Sequence, residues 1–273
     1  MKKFPLIISI VLILSLVLAG TALAITDGQP DEEGHPFVGL LVFDYEFPDG
    51  SVGPAWRCSG TLLSPTVVLT AGHCTDGAAA ARLWLDSDMR TNPEYPFGGA
   101  TSYEAATVHT LDGYTTGPWF QYDAGIVILA EPVPSGVVDT YGVLPDADLL
   151  DSFKTRRGKQ KLTFTAVGYG LQKSFPDAAA WKDVAEKIRM VSYPRLIQIN
   201  TPGFTGDFSL LLSNNANTGG TCFGDSGGPN FFYDSNIVVG ITSFGLNPTC
   251  AGTGGVMRTD RENVLDFVNS FLP

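Results

Sequence analysis

Short apolar runs separated by Gly, Pro, Asn and Asp make up most of the chain beyond its first two dozen residues. Phe37–Phe43, Val67–Thr70, Ile126–Leu129, Leu162–Val167, Phe208–Leu212 and Ile237–Ser243 are too short for amphipathic helices and rich in β-branched residues, so each is expected to be a strand. Strands at this spacing imply an all-β sandwich or barrel. One segment departs from the rule. Val264, Phe267, Val268, Phe271 and Leu272 recur along one helical face, and Thr259 and Glu262 precede them at capping-box spacing. A C-terminal helix packed on a β body is expected, with weaker helical character over Ala178–Lys187. Asp76–Ala81 and Asn214–Gly220 are polar and read as surface connections. The Pro-rich stretch Glu131–Pro145 is the expected link between two halves, residues 25–145 and 146–273.

The first residues follow a different pattern. Lys2 and Lys3 precede an apolar run from Leu6 to Ala19, with small residues at Ala22 and Ala24. This is the layout of a signal peptide over residues 1–24, and the run is short for a membrane span of ~20 residues. A secreted protein is expected, extracellular or periplasmic, with no membrane partner once the leader is removed. The net charge of −11 argues against nucleic acid and against anionic membranes. The acidic pairs Asp86/Asp88 and Asp146/Asp148 form no recognisable calcium loop and read as solvated faces. Behind a signal peptide, the even set Cys58, Cys74, Cys222 and Cys250 implies disulfides. Three pairings are possible; sequence proximity favours Cys58–Cys74 and Cys222–Cys250, each stabilising by roughly 3 kcal/mol on the chain-entropy model. Without a CxxC spacing or a His cluster, no metal or other cofactor is expected.

Three strings carry chemistry. In Gly224-Asp225-Ser226-Gly227-Gly228-Pro229, glycines let backbone and substrate approach a serine closely and leave N–H groups free for a developing oxyanion. A Gly-x-Ser-x-Gly elbow of the α/β-hydrolase kind needs its histidine after the serine. His35, His73 and His109 all come before it, which excludes that order and leaves His…Asp…Ser. Leu69-Thr70-Ala71-Gly72-His73-Cys74 runs a strand into a half-cystine, a rigid mount for an imidazole; His35 and His109 lack such neighbours and read as structural. Asp123 opens the apolar run Ala124–Leu129, where a carboxylate is costly without a partner. Asp112, beside Gly113, reads as a turn residue.

Together the three strings resemble the trypsin/chymotrypsin family, from about Ile25 to the C-terminus. Cys58–Ser64, Gly168-Tyr169-Gly170 and Ser243-Phe244-Gly245 add to the resemblance, the last with Phe where the family usually has Trp. It implies two six-stranded antiparallel β-barrels with the active site between them. It also implies a serine endopeptidase acting on polypeptides, with Ser226 as nucleophile, His73 as general base and Asp123 as its orienting carboxylate. Gly224 and Ser226 would supply the oxyanion hole, and Gly220, Ser243, Phe244, Gly245 and Gly255 the primary pocket. With Gly220 in place of an acid at the pocket base, large apolar or aromatic residues are the expected preference. The predicted new N-terminus Ile25-Thr26-Asp27-Gly28 resembles that of activated family members, in which the α-ammonium pairs with the acid before the nucleophile, here Asp225. A monomer is expected, open to protein inhibitors. The rivals are a catalytically inactive binding protein on the same fold and an esterase using the same three residues.

Overall fold

The computed structural model describes residues 25–154, 162–172, 185–201 and 206–273. The leader and most of Ala178–Lys187 lie outside them. Each predicted apolar run lies in a strand. In the first half, β2 (Val38–Glu46), β3 (Val52–Leu62), β4 (Val67–Thr70), β5 (Ala80–Trp84), β6 (Tyr103–Thr110) and β7 (Gly125–Leu129) close into a barrel in the order β2-β3-β4-β7-β6-β5. Strand alternation sorts β2: Leu41 and Phe43 enter the main apolar cluster, while Leu40 and Val42 pack with Trp84, Met89 and Tyr169. Both faces of β2 are therefore covered, one by its own barrel and one by a contact that includes Tyr169 of the second half.

The second half is an eight-stranded curled sheet in the order β1-β9-β8-β12-β13-β14-β11-β10. Its strands are β1 (Gln29–Pro30), β8 (Phe164–Gly168), β9 (Met190–Ser192), β10 (Leu196–Thr201), β11 (Gly206–Asn214), β12 (Pro229–Phe232), β13 (Val238–Gly245) and β14 (Gly252–Arg258). Leu150, Phe164, Leu210, Val239 and Val256 are among the side chains filling its own core. Phe231, Val238, Ile241 and Met257 face the other way and join the cluster of the first barrel. The two halves thus share one continuous apolar body. Although early in sequence, β1 pairs antiparallel with β9 and belongs to the second sheet.

Among the described residues, two α-helices complete the fold: α1 (Gly72–Thr75), a single turn after β4, and α2 (Glu262–Asn269). The predicted face of α2 is the buried one, with Val264 and Val268 in the core and Phe267, Phe271 and Leu272 against it. The predicted capping box does not form. Arg261 occupies the cap position without a side-chain bond, and the Thr259 hydroxyl is committed to the Val238 carbonyl of β13. Both disulfides favoured by proximity, Cys58–Cys74 and Cys222–Cys250, are formed. Among the described residues, no helix is long and apolar enough to cross a membrane.

Candidate active site

β4 delivers His73 on α1, and the Cys58–Cys74 disulfide ties that turn to β3. The Trp56 indole N–H adds a bond to the Cys74 carbonyl at 2.9 Å. Asp123, just before β7, is fully buried and takes four contacts. The His73 backbone N–H donates to Oδ1 at 2.7 Å, and His73 Nδ1 lies 2.9 Å from Oδ2 and 3.1 Å from Oδ1. The Ser243 hydroxyl of β13 donates to Oδ2. A carboxylate facing Nδ1 requires the proton there, so the Nε2 lone pair is the free one. This multiple bonding is how a buried carboxylate avoids the cost of isolation.

Ser226 sits in the loop between β11 and β12. Gly224 (φ 94°) and Gly227 (φ 78°) take left-handed backbone, and a Cβ on Gly227 would come within 2.0 Å of Thr70 Oγ1. Ser59 of β3 pins the loop from the first barrel. Its N–H donates to the Ser226 carbonyl at 2.7 Å and its hydroxyl to the Gly224 carbonyl at 3.0 Å, while that same oxygen accepts the Tyr169 N–H at 3.0 Å. Among the described residues, the N–H groups of Gly224 and Ser226 have no internal acceptor, which leaves them available to an external oxygen.

A cavity of about 390 Å³ brings His73 and Ser226 together. Its walls include Phe223, Phe244, Gly245, Asn247 and the Cys222–Cys250 pair, with hydroxyls from Thr221, Thr242 and Thr253. Of the residues expected in the pocket, Ser243 does reach it, but its hydroxyl serves Asp123. Gly220 and Gly255 do not line it. A Cβ on Gly220 would meet the Asn214 side chain at 2.4 Å, and one on Gly255 would meet the Phe244 ring at 2.3 Å. The neighbouring Gly254 does not line it either, but a Cβ there would lie 2.9 Å from the hydroxyl of Thr221, which does. Alternation along β14 separates the two glycines onto opposite faces.

Ile25 and Thr26, the first described residues, pack beside the segment that carries Thr221 into the cavity. Ile25 is fully buried and clusters with Ile188 and Met190. The Thr26 hydroxyl donates to Asn214 Oδ1 at 2.5 Å, and the Gly220 N–H donates to the Thr26 carbonyl at 3.1 Å. Asp225 is also fully buried. It accepts the N–H groups of Gly170 at 2.7 Å and Cys222 at 2.8 Å. Burial pushes its carboxyl up to about 7, against the lesser opposing effects of those two bonds and the Arg57 charge. Tyr114 is held up at about 12 by burial and by the charges of Asp123 and Asp76.

The other histidines have structural partners: His35 holds Asp31 and stacks on Phe231, and His109 packs on Phe271. His73 and the cysteines beside it come close enough to suggest a metal site, but those sulfurs are bonded to each other and are not thiolates. Ser59, Asn214, Thr221 and Thr253 are the contributors that local sequence reasoning missed. The one available signal was a hydroxyl at Ser59 inside an otherwise apolar strand end.

A closed β-barrel beside a curled β-sheet, with a serine and a histidine meeting in one cleft, defines the two-barrel serine endopeptidases. The chain belongs to the trypsin family, whose model (Trypsin) matches residues 34–268. Serine protease 1 of Drosophila melanogaster is 25% identical over 260 residues, covering 89% of this chain and 84% of the relative. Brachyurin of Leptuca pugilator is 29% identical over 199 residues, covering 71% and 77%. Among solved structures, HL collagenase superposes with a TM-score of 0.66 at 18% identity, covering 91% of this chain and 99% of that one.

Proposed function

We propose that this chain is a secreted endopeptidase that hydrolyses polypeptides through Ser226, His73 and Asp123. The observation that carries the reading is the buried Asp123–His73 pair opening onto the same cavity as Ser226. With its Nδ1–H donating a hydrogen bond to the Asp123 carboxylate, His73 takes the Ser226 proton at Nε2 as the hydroxyl oxygen attacks the scissile carbonyl. The tetrahedral oxyanion binds the Gly224 and Ser226 N–H groups. His73 then returns the proton to the leaving amine, and water repeats the cycle to release the acyl group. Residues 25–145 bring the base and its carboxylate, and residues 146–273 bring the nucleophile and pocket.

The pocket walls of Phe244, Phe223 and a disulfide, without an acid, favour a large apolar or aromatic side chain before the scissile bond. Removal of residues 1–24 as a signal peptide would free the Ile25 amine. That ammonium is the countercharge a buried Asp225 carboxylate requires, so leader cleavage activates the enzyme with no separate propeptide. A monomer whose cleft is accessible to protein inhibitors completes the reading.

The test is labelling with a fluorophosphonate beside Ser226→Ala, with mass analysis of the N-terminus. Labelling that vanishes in the variant supports an assembled nucleophile, and an amide-to-ester turnover ratio separates peptidase from esterase. A folded chain starting at Ile25 that takes no label would be a protease-like binding protein. Activity in a chain with any other start would sink the activation step.

A further inference from the structure

On this acidic chain, Arg82, Arg90, Arg189, Arg258 and Arg261 each hold a carboxylate. Among the described residues, Arg57 and Lys187 form no ion pair, and the Arg57 Nε is buried without an acceptor. The two cations are neighbours. Lys187 Nζ lies over the Tyr95 ring at 5.3 Å, and its ammonium is pulled below its usual range by burial and then by the Arg57 charge. Tyr95, Arg57, Trp56, Pro54 and Pro96 line a separate groove of about 260 Å³.

Its position relative to the chemistry follows from contacts already described. Arg57 Nε would be 3.3 Å from a Cβ on Gly224, so the guanidinium lies against the oxyanion loop. The acyl side of a substrate fills the cavity walled by Phe244 and Cys222–Cys250, and neither Trp56 nor Arg57 is among the residues that line it. The part of a substrate left to meet the guanidinium beside the oxyanion loop is therefore the leaving peptide. Arg57 lines this groove and Lys187 sits over the Tyr95 ring at its edge; among the described residues neither has a carboxylate partner, so the two charges repel and a carboxylate between them relieves that repulsion.

We propose that this groove binds a carboxylate carried within the first residues of the leaving peptide, either an acidic side chain or a free C-terminus. The inference rests on the peptidase reading and adds a selectivity that the acyl pocket does not supply. Two partly exposed ion pairs predict a preference of roughly three- to tenfold in kcat/KM for Asp over Ala, and a further penalty for Lys.

The experiment uses quenched fluorogenic peptides with one fixed aromatic residue before the scissile bond. Ala, Asp and Lys are scanned through the three positions after it. Short leaving peptides are compared as acids and as amides. The Asp/Ala and acid/amide ratios are read within each variant, so a general loss of activity or of folded protein cancels. They should fall to about one in Arg57→Gln/Lys187→Gln and persist in Arg57→Lys, and the larger of the two ratios identifies the carboxylate's source. Ratios near one in the native enzyme, or unchanged in the double variant, overturn the proposal while leaving the peptidase reading intact. If Ser226 takes no label and no peptide is cut, both fall together.

Discussion

Ser59→Ala isolates how the first barrel holds the oxyanion loop of the second. The substitution removes one oxygen that donates to the Gly224 carbonyl and accepts the Tyr169 N–H, both at 3.0 Å. Ser59 is fully buried, so water cannot replace the hydroxyl, and one carbonyl and one N–H lose a partner together. Each such orphan costs about 1–3 kcal/mol. The backbone bond from Ser59 N–H to the Ser226 carbonyl survives, which keeps the loop in place while loosening Gly224. Full loss of one oxyanion donor is worth about 10²–10³ in kcat, and that sets the ceiling. The expected result is a kcat reduced about 10- to 100-fold, KM within about threefold, and stability lower by about 2–4 kcal/mol. Steady-state kinetics well below the melting temperature, with fluorophosphonate labelling rates alongside, measure both effects. A kcat within threefold of the native value, with the stability loss present, would show that Ser59 merely supports the fold.

Three further outcomes are expected. Asp123→Asn should lower kcat by about 10⁴, the loss typical of this substitution in serine peptidases with the same three residues, because the amide favours the wrong imidazole tautomer; a KM shift without a kcat loss would contradict the pairing at 2.9 Å. In the chain with its leader attached, the Asp225 carboxyl titrates near 7 when folded and near 3.9 when unfolded, so its contribution to stability is complete below about pH 4 and is lost as pH rises through 7. Relative to Asp225→Asn, stability should therefore fall by up to about 1.4 kcal/mol per pH unit across that window, in urea titrations; a rising difference would refute it. Gly254→Val should reduce turnover of substrates with an aromatic residue before the scissile bond in favour of those with Ala there, whereas an unchanged preference ratio would place Gly254 outside the pocket.

The candidate catalytic positions were legible because each stands in a string with its own physical requirement: glycines around Ser226, a half-cystine after His73, an apolar strand after Asp123. The strands were legible from their length and β-branched content. The pocket was less so. Gly254 and Gly255 are adjacent and carry no side chain whose polarity could mark a face, and their ladder partners in β13, Gly245 and Phe244, both line the cleft. Thr259 and Glu262 have the spacing of a capping box, yet tertiary packing offered the threonine hydroxyl a partner in β13. The work of Ser59 and Asn214 depends on residues more than a hundred positions away or across a turn, contacts that no local window contains.

The chain order of the sheets has a consequence for biosynthesis. All six strands of the closed barrel lie between Val38 and Leu129, so that body can form while the ribosome is still adding the second half. His73 and Asp123 can then meet early. The hydroxyl that completes their network comes from Ser243, and Thr26 and β1 find their places only when Gly220 and β9 exist to receive them. An emerging polypeptide of this kind carries half of a blade and no edge, and it becomes able to cut only when its last third has been made.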